Sequence, residues 1–238
     1  MLALNHFDAI AFGCNGTLID RSSVVLKQCR RALGDRQRRL SDAEVLTAFN
    51  RARTDVQSER PMLPYGEVLA RSFTGTLRQF GVRATTAATQ AFAESAPQWQ
   101  PFDECREALD HLARYFRLGL VCNTDIHTCQ SFQAKLQAPF EVVVTAERVG
   151  AYKPDPRQFV AMISDFSLLG VTTDRLLFVG SSLRADIAPV NSLGLRTVHV
   201  DRHAPRGDRQ GSAVPHLRVD SLRSLVQLHR ESLRVKVA

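Results

Sequence analysis

The sequence has no long apolar run. Its most apolar segments, such as LGLVC and LLFVG, are far shorter than the roughly 20 residues that a membrane-spanning helix needs. The first residues include Asn5, His6 and Asp8 and no basic stretch, which does not fit a secretory signal peptide. We therefore expect a cytoplasmic protein with no membrane partner.

Paired cysteines are also missing. The five cysteines are an odd number and form no C-x-x-C motif; they are Cys14, Cys29, Cys105, Cys122 and Cys129. This spacing argues against a disulfide framework and against a zinc site.

Lysine is scarce, although the formal net charge of the 238-residue chain is +7. Only four of the 31 basic residues are lysines, and the arginines are spread over the whole chain. The densest basic segment, CRRALGDRQRRL, contains no aromatic residue on which a base could stack. We therefore interpret the charge as a solvated surface and expect no nucleic-acid partner.

Short apolar runs that alternate with helical patterns make up most of the chain. Five runs rich in Val, Leu and Ile predict strands at Ala9–Phe12, Leu118–Cys122, Val142–Thr145, Leu176–Val179 and Thr197–Val200. Helical patterns between the later runs are found at Asp103–Tyr115, Ile126–Leu136, Pro156–Leu169 and Ala185–Leu193. Nearly continuous apolar strands are typical of a sheet buried on both faces. The pattern predicts an α/β fold with a Rossmann-like parallel sheet, whose active site lies at the carboxyl ends of the strands.

Roughly 100 residues between the first and second strands show helical periodicity only. Ser41, with Glu44 three residues later, predicts the start of one of these helices. A helical insert at this point predicts a cap, with residues 20–97 as the cap and residues 1–19 and 98–238 as the core. We also expect a mobile loop at Pro205–Ser212 and a last amphipathic helix at Ser221–His229.

Four short segments follow one another along the chain at or near the ends of predicted strands. They are FGCNGTLID from Phe12, LGLVCNTD from Leu118, VGAYKPDPRQF from Val149 and LFVGSSLRADIAPV from Leu177. This ordered set resembles the four motifs of the haloacid dehalogenase superfamily, in the subfamily with a helical cap after the first motif. It is most similar to the 2-haloacid dehalogenase branch. The resemblance implies hydrolysis of a carbon–halogen bond or a phosphate ester through an aspartyl ester.

The first motif departs from that family at its reactive position. Gly13 stands where the resemblance implies the aspartate nucleophile, and Asn15 stands where phosphatase members have a general acid and base. Cys122 replaces a hydroxyl residue, and Ser181 replaces a metal-binding aspartate. Glycine has no side chain that could attack a substrate, so we predict that the family reaction is impaired or lost. Asp186 alone is a poor cage for Mg²⁺, and we expect no cofactor.

The anion-binding part of the site is retained. The resemblance implies that Lys153 neutralises negative charge and that Asp186 orients this lysine, although Asp186 could equally cap a helix. We expect a small anion beside Lys153, in a cleft between core and cap. Its other binding residues are predicted to be Gly16, Thr17, Cys122, Asn123, Thr124, Ser181 and Arg53.

Several residues have more than one interpretation. Cys14 is expected to point away from the cleft and Cys122 to face it, and neither pattern favours a replacement nucleophile. Asp125 is better explained as the cap of the helix that begins at Ile126. On the cap, the side chains that could face the cleft are those of Arg51, Arg53, Arg60 and Tyr65.

Three functions stay open from sequence. The chain could be a hydrolase scaffold that has lost its reaction, either naturally or as an altered form of an active enzyme. It could be a regulatory protein that binds an anionic metabolite. It could also use Lys153, Asp125 or Cys122 in a non-hydrolytic lyase or cyclase reaction. A homodimer is left open.

Overall fold

The computed structural model describes residues 2–34, 39–60, 62–202 and 213–234, so the loop expected at 205–212 lies outside the described residues. Six parallel strands form one sheet in the order β3-β2-β1-β4-β5-β6. Their bounds are β1 Ala9–Gly13, β2 Arg117–Cys122, β3 Phe140–Thr145, β4 Leu176–Gly180, β5 Arg196–Val200 and β6 Leu217–Val219. The expected α/β fold is confirmed, and Gly13 ends a central strand at the carboxyl edge.

Ten helices are found in the described residues. They are α1 Arg21–Leu33, α2 Asp42–Glu59, α3 Tyr65–Gln79, α4 Thr86–Ala93, α5 Cys105–Leu112, α6 Ile126–Leu136, α7 Ala146–Val149, α8 Arg157–Leu168, α9 Ala188–Ser192 and α10 Leu222–Arg234. Short 3-10 turns occur at Leu4–His6, Ala96–Gln98 and Thr173–Arg175, and a π-helical turn occurs at Leu183–Ile187. None of the helices described is both long and apolar enough to cross a membrane.

Both faces of the sheet are covered, which explains the continuous apolar strands. Ile10 and Phe12 of β1 belong to the core cluster that includes residues of α5, α6 and α10. Ala9 and Ala11, which alternate with them, belong to a second cluster with residues of α8 and α9. On this second face, β1 presents only small side chains because phenylalanine rings occupy the space beside it. At Gly119, for example, an added Cβ would lie 2.7 Å from the ring of Phe166.

Helices α1 to α4 lie within residues 20–97, the segment predicted as the cap, and are called the cap helices below. The Ser41 side chain accepts from the N–H of Glu44 at 3.3 Å, and the Glu44 carboxylate accepts from the N–H of Ser41 at 2.7 Å. The predicted helix start is therefore confirmed as a full capping box. Buried aromatic rings at Phe49, Phe73 and Phe92 pack against one another inside the cap.

The chain crosses between core and cap through two neighbouring segments. Ile19 forms an antiparallel bridge with Pro101. The N–H of Asp20 donates to Gln100 O at 2.9 Å, and the N–H of Phe102 donates to Leu18 O at 3.0 Å. The predicted boundaries at 19/20 and 97/98 lie close to this paired crossing, and the division itself stays a prediction.

Most predicted elements agree with the structure to within one or two residues at each end, and three helices differ by more. The helix expected at Asp103–Tyr115 spans only Cys105–Leu112, because the chain turns after Ala113 to enter β2. The helix expected at Ala185–Leu193 is divided into the π-helical turn and α9. The last helix runs on from Leu222 to Arg234, and strand β6 was not predicted.

Candidate functional site

A buried ion pair lies at the carboxyl edge of the sheet. Lys153 Nζ donates to Asp186 Oδ1 at 2.7 Å and to Val121 O at 3.0 Å. The two side chains are only 5% and 6% exposed. The structure thus brings together the lysine of the third motif and the aspartate of the fourth, as the sequence analysis expected.

The loop after β4 holds the Asp186 carboxylate in place. Asp186 Oδ2 accepts from the N–H groups of Ser181 and Ser182, at 3.2 and 3.1 Å. The π-helical turn Leu183–Ile187 carries Asp186 back over the end of β4, and π-helical turns are frequent at functional sites. Gly180 permits this approach, because a Cβ there would lie 2.6 Å from Asp186 Cβ.

Gly13 lies directly beside that carboxylate. A Cβ built on Gly13 would lie 3.1 Å from Thr17 Oγ1 and 3.3 Å from Asp186 Oδ2. The space next to the nucleophile position is therefore narrow and already bordered by an acidic group. Within the described residues, the buried Thr17 Oγ1 has no hydrogen-bond partner. A carboxylate at position 13 would offer this hydroxyl an acceptor, but it would also lie close to the Asp186 carboxylate.

Asn15 connects the first-motif loop to the cap. Its side-chain Nδ2 donates to Tyr65 Oη at 3.3 Å, and its main-chain carbonyl oxygen accepts from Ser181 Oγ at 3.4 Å. Gly16 has φ +85°, and a Cβ on it would lie 2.7 Å from Ser181 Oγ, so this turn requires glycine. Asn15 therefore has a structural partner where phosphatase relatives are expected to have an acid and base.

Asn123 and its neighbours position the opposite wall of the site. Asn123 Oδ1 accepts from Lys153 N and from Gln158 Nε2, both at 2.7 Å. Thr124 is fully buried, and its hydroxyl donates to Asp125 O at 3.1 Å. Asp125 accepts from the N–H of Thr128 at 2.6 Å, which confirms its interpretation as the cap of α6.

The expectation that Cys122 faces the cleft is wrong. Its side chain is fully buried, and its Sγ lies 3.1 Å from the Sγ of Cys129 on α6. The physical reason is the alternation of the strand, which turns Val121 toward one face and Cys122 toward the α6 side. Burial raises the pKa of Cys122 well above its usual value, and burial also raises the pKa of Cys14. Neither thiol has the lowered pKa of a reactive nucleophile.

The cleft between core and cap has two compartments. The inner compartment, of about 50 Å³, lies at the ion pair and is also lined by Asn15, Arg21 and Tyr65. The outer compartment, of about 340 Å³, lies between α2 and the loops that follow β3 and β4. Arg53 lines both, and its NH1 donates to Gln57 Oε1 at 3.1 Å.

Of the four cap side chains that were predicted to face the cleft, two do so. Arg53 and Tyr65 line the cleft, whereas Arg51 and Arg60 are not among the described residues that line either compartment. Sequence reasoning missed the cleft-lining residues Arg21, Gln57, Arg157 and Arg184. Arg184 could have been found, because it lies inside the fourth motif, two residues before Asp186.

The donor set does not fit Mg²⁺, which prefers several hard anionic oxygens. Asp186 is the one carboxylate among the described residues that line the inner compartment, and its oxygens already accept from Lys153 and from two backbone N–H groups. Across the described ranges, no group of three or more His, Cys, Asp or Glu side chains is placed to hold a metal ion.

The fold and these four motif loops define a hydrolase-type α/β protein with a cap, and a family model agrees. The model for haloacid dehalogenase-like hydrolases matches residues 7–194. The chain therefore belongs to the haloacid dehalogenase-like hydrolase family.

Individual relatives fall into two groups. The chain is 25% identical, over 94% of its length and 97% of the relative, to glyceraldehyde 3-phosphate phosphatase from Methanopyrus kandleri. It is 35% identical to phosphoserine phosphatase from Thermus thermophilus, over 47% of this chain and 44% of that protein. Among solved structures, L-2-haloacid dehalogenase from Xanthobacter autotrophicus has a TM-score of 0.76 at 19% identity, over 94% and 98% of the two chains. At that identity the structural likeness establishes the fold.

Proposed function

We propose that this chain binds a small anionic molecule between core and cap and does not carry out the aspartyl-ester hydrolysis of its family. One observation carries the proposal. Gly13 provides no attacking oxygen, and the space beside it is bordered by Thr17 Oγ1 and Asp186 Oδ2. Asp186 is engaged by Lys153 and by backbone N–H groups, which leaves it poorly placed to act as a nucleophile.

The charge of the cleft supports an anionic ligand. Among the residues that the structure describes, five cationic side chains and two carboxylates line its two compartments; the cations are Arg21, Arg53, Lys153, Arg157 and Arg184. A cleft dominated by one sign of charge concentrates ligands of the opposite sign. The names of the relatives also describe anionic substrates, which are a sugar phosphate, phosphoserine and 2-haloacids.

Restoring the carboxylate tests the loss of chemistry. We would compare the unaltered chain with Gly13→Asp, and use Gly13→Asn as a matched control of the same size without a nucleophile. Each protein would be assayed against L-2-chloropropionate and p-nitrophenyl phosphate, with and without Mg²⁺. We expect the turnover of Gly13→Asp to exceed that of the other two proteins by a factor of about 10³ or more, because loss of a nucleophile typically lowers the rate by at least that factor.

The assay has a clear contrary result. Turnover by the unaltered chain that matches Gly13→Asp would show that the reaction does not need a side chain at position 13, and the proposal would fail. Activity of Gly13→Asn equal to that of Gly13→Asp would point to a different attacking group. The preferred substrate of the active variant would also assign the chain to the phosphatase or the dehalogenase side of the family.

A further inference from the structure

We propose that the outer compartment binds the oxyanion group, a carboxylate or a phosphate ester, of a small organic molecule, and that this group docks at Arg184 and Arg53 rather than beside Lys153. The inference rests on the proposed function and specifies where the anion lies. It moves the ligand outward from the position that the sequence motifs predict.

The inner compartment offers little room, and its lysine is already paired with a carboxylate, although Arg21 and Arg53 also line it. It has about 50 Å³, enough for a few water molecules. The ammonium of Lys153 is paired with Asp186 at 2.7 Å, and both side chains are buried. A second anion beside Lys153 would therefore also face the Asp186 carboxylate, and like charges at such short range repel strongly in a partly buried site.

The outer compartment offers room. Its volume of about 340 Å³ falls in the range of roughly 300–1,000 Å³ that is typical of small-molecule pockets. Hydroxyl groups of Thr54 and Ser58 on α2 add hydrogen-bonding capacity along one wall. A molecule of several carbon atoms with one or two charged groups fits this space.

The outer compartment also offers uncompensated charge. Asp155 is the one carboxylate residue among the described lining, and both of its oxygens accept from Arg157 at 3.0 Å. Arg184, in contrast, has no carboxylate within ion-pair distance in the part of the chain that the structure describes. An oxyanion at Arg184 would gain attraction without losing an existing ion pair.

The two arginines approach the compartment from opposite sides. Arg184 lies on the π-helical turn of the core, and Arg53 lies on α2 of the cap, where its NH1 is held by Gln57 Oε1. Guanidinium groups bind carboxylate and phosphate oxygens with paired hydrogen bonds. A ligand held between them would connect core and cap at the mouth of the cleft.

Binding to variants tests the position. Isothermal titration calorimetry at low ionic strength would use inorganic phosphate, glycerol 3-phosphate and succinate as probes. We expect Arg184→Gln to weaken binding about tenfold, the usual effect of losing a charged hydrogen bond. The matched control is Arg71→Gln on α3, an exposed arginine paired with Glu67 outside the cleft, which should leave the affinity unchanged. Glycerol 3-phosphate and succinate distinguish a phosphate ester from a carboxylate as the source of the oxyanion.

A crystal soaked in selenate gives a second readout that does not depend on variant stability. We expect the anomalous selenium peak in contact with Arg184. A peak beside Lys153 Nζ, or unchanged affinity in Arg184→Gln, would overturn the inference while leaving anion binding intact. Failure of all probes to bind would overturn both the inference and the binding function. Turnover by the unaltered chain would overturn the proposed loss of chemistry alone.

Discussion

The ion pair and the first-motif loop lie side by side, yet only the ion pair keeps the charged groups that its motif implies. Lys153 and Asp186 contact each other directly, and Val121 O and two backbone N–H groups hold them in place. The loop after Gly13 is ordered by its own backbone, although position 13 has no side chain. Main-chain hydrogen bonds hold it, since Leu18 N donates to Cys14 O and Gly16 N to Ile19 O, both at 2.8 Å.

This difference teaches that the shape of such a site and its chemistry are separately encoded. The loop conformation depends on backbone groups and on Gly16, whereas the covalent reaction depends on one carboxylate. Under the proposed function, such a chain loses the reaction while its cationic cleft and its fold remain. Three further variants test this contrast between a side-chain pair and a backbone-held loop.

Breaking the ion pair should have the largest effect on stability. Lys153→Met would leave Asp186 charged and buried without its partner, which typically costs about 3–5 kcal/mol. Urea unfolding measures the change in the free energy of unfolding. The double variant Lys153→Met/Asp186→Ala should lose less than the sum of the two single variants, because it leaves no unpaired charge. Strict additivity would mean that the pair is not coupled.

Adding a methyl group to the loop should have a smaller effect. Gly13→Ala would place a Cβ 3.1 Å from Thr17 Oγ1, and we expect a loss of about 1 kcal/mol from overpacking. Gly75→Ala on α3 is the matched control, since its Cβ would make an ordinary 3.4 Å contact with Ala52 Cβ. The control should gain about 0.5–1 kcal/mol from helix propensity. A gain of the same size in Gly13→Ala would show that the position is not crowded.

The smallest expected effect is on the pH dependence of stability, through a histidine that contacts the fourth-motif loop. His199 Nε2 donates to Ser181 O at 3.1 Å, and burial lowers the pKa of this imidazole. Its folded-state pKa therefore lies below the unfolded value of about 6.5. The stability that it contributes is present above pH ~6.5 and is lost as the pH falls.

A matched substitution isolates this contribution. His199→Gln can still donate to Ser181 O but cannot be protonated, so stability should fall less steeply between pH 7 and pH 5 than in the unaltered chain. Thermal unfolding over this range measures the difference. Three other histidines with lowered pKa values, His111, His216 and His229, remain in both proteins and cancel in the comparison. Identical pH profiles would contradict a role for His199.

The sheet and the motif order were predictable because they depend on local patterns. Strands buried on both faces give continuous apolar runs, and the motifs follow the strand ends in sequence. Strand β6 was missed because it has only three residues, Leu217–Val219, and its middle residue, Arg218, is exposed. The predicted orientation of the Cys122 side chain was wrong. The face to which the last residue of a strand points depends on how the neighbouring elements pack, which a short apolar run does not reveal.

The crowding at Gly13 could not be predicted either. It depends on where the π-helical turn places Asp186, and a π turn inserts one residue without leaving a periodic signal. The division of the cleft into two compartments likewise depends on how α2 packs over the core. Sequence reasoning therefore identified two cations of the cleft, Lys153 and Arg53, but neither Arg184 nor the larger compartment that Arg184 lines.

The paired crossing at Ile19 and Pro101 gives the chain a modular layout. Because the outgoing and returning segments run next to each other, the ends of the core that flank the cap are already adjacent. A short peptide loop could join them, or the helices of a relative could be grafted in their place. Such an exchange would replace the helices above the cleft as one unit while the sheet and its carboxyl edge stay as they are.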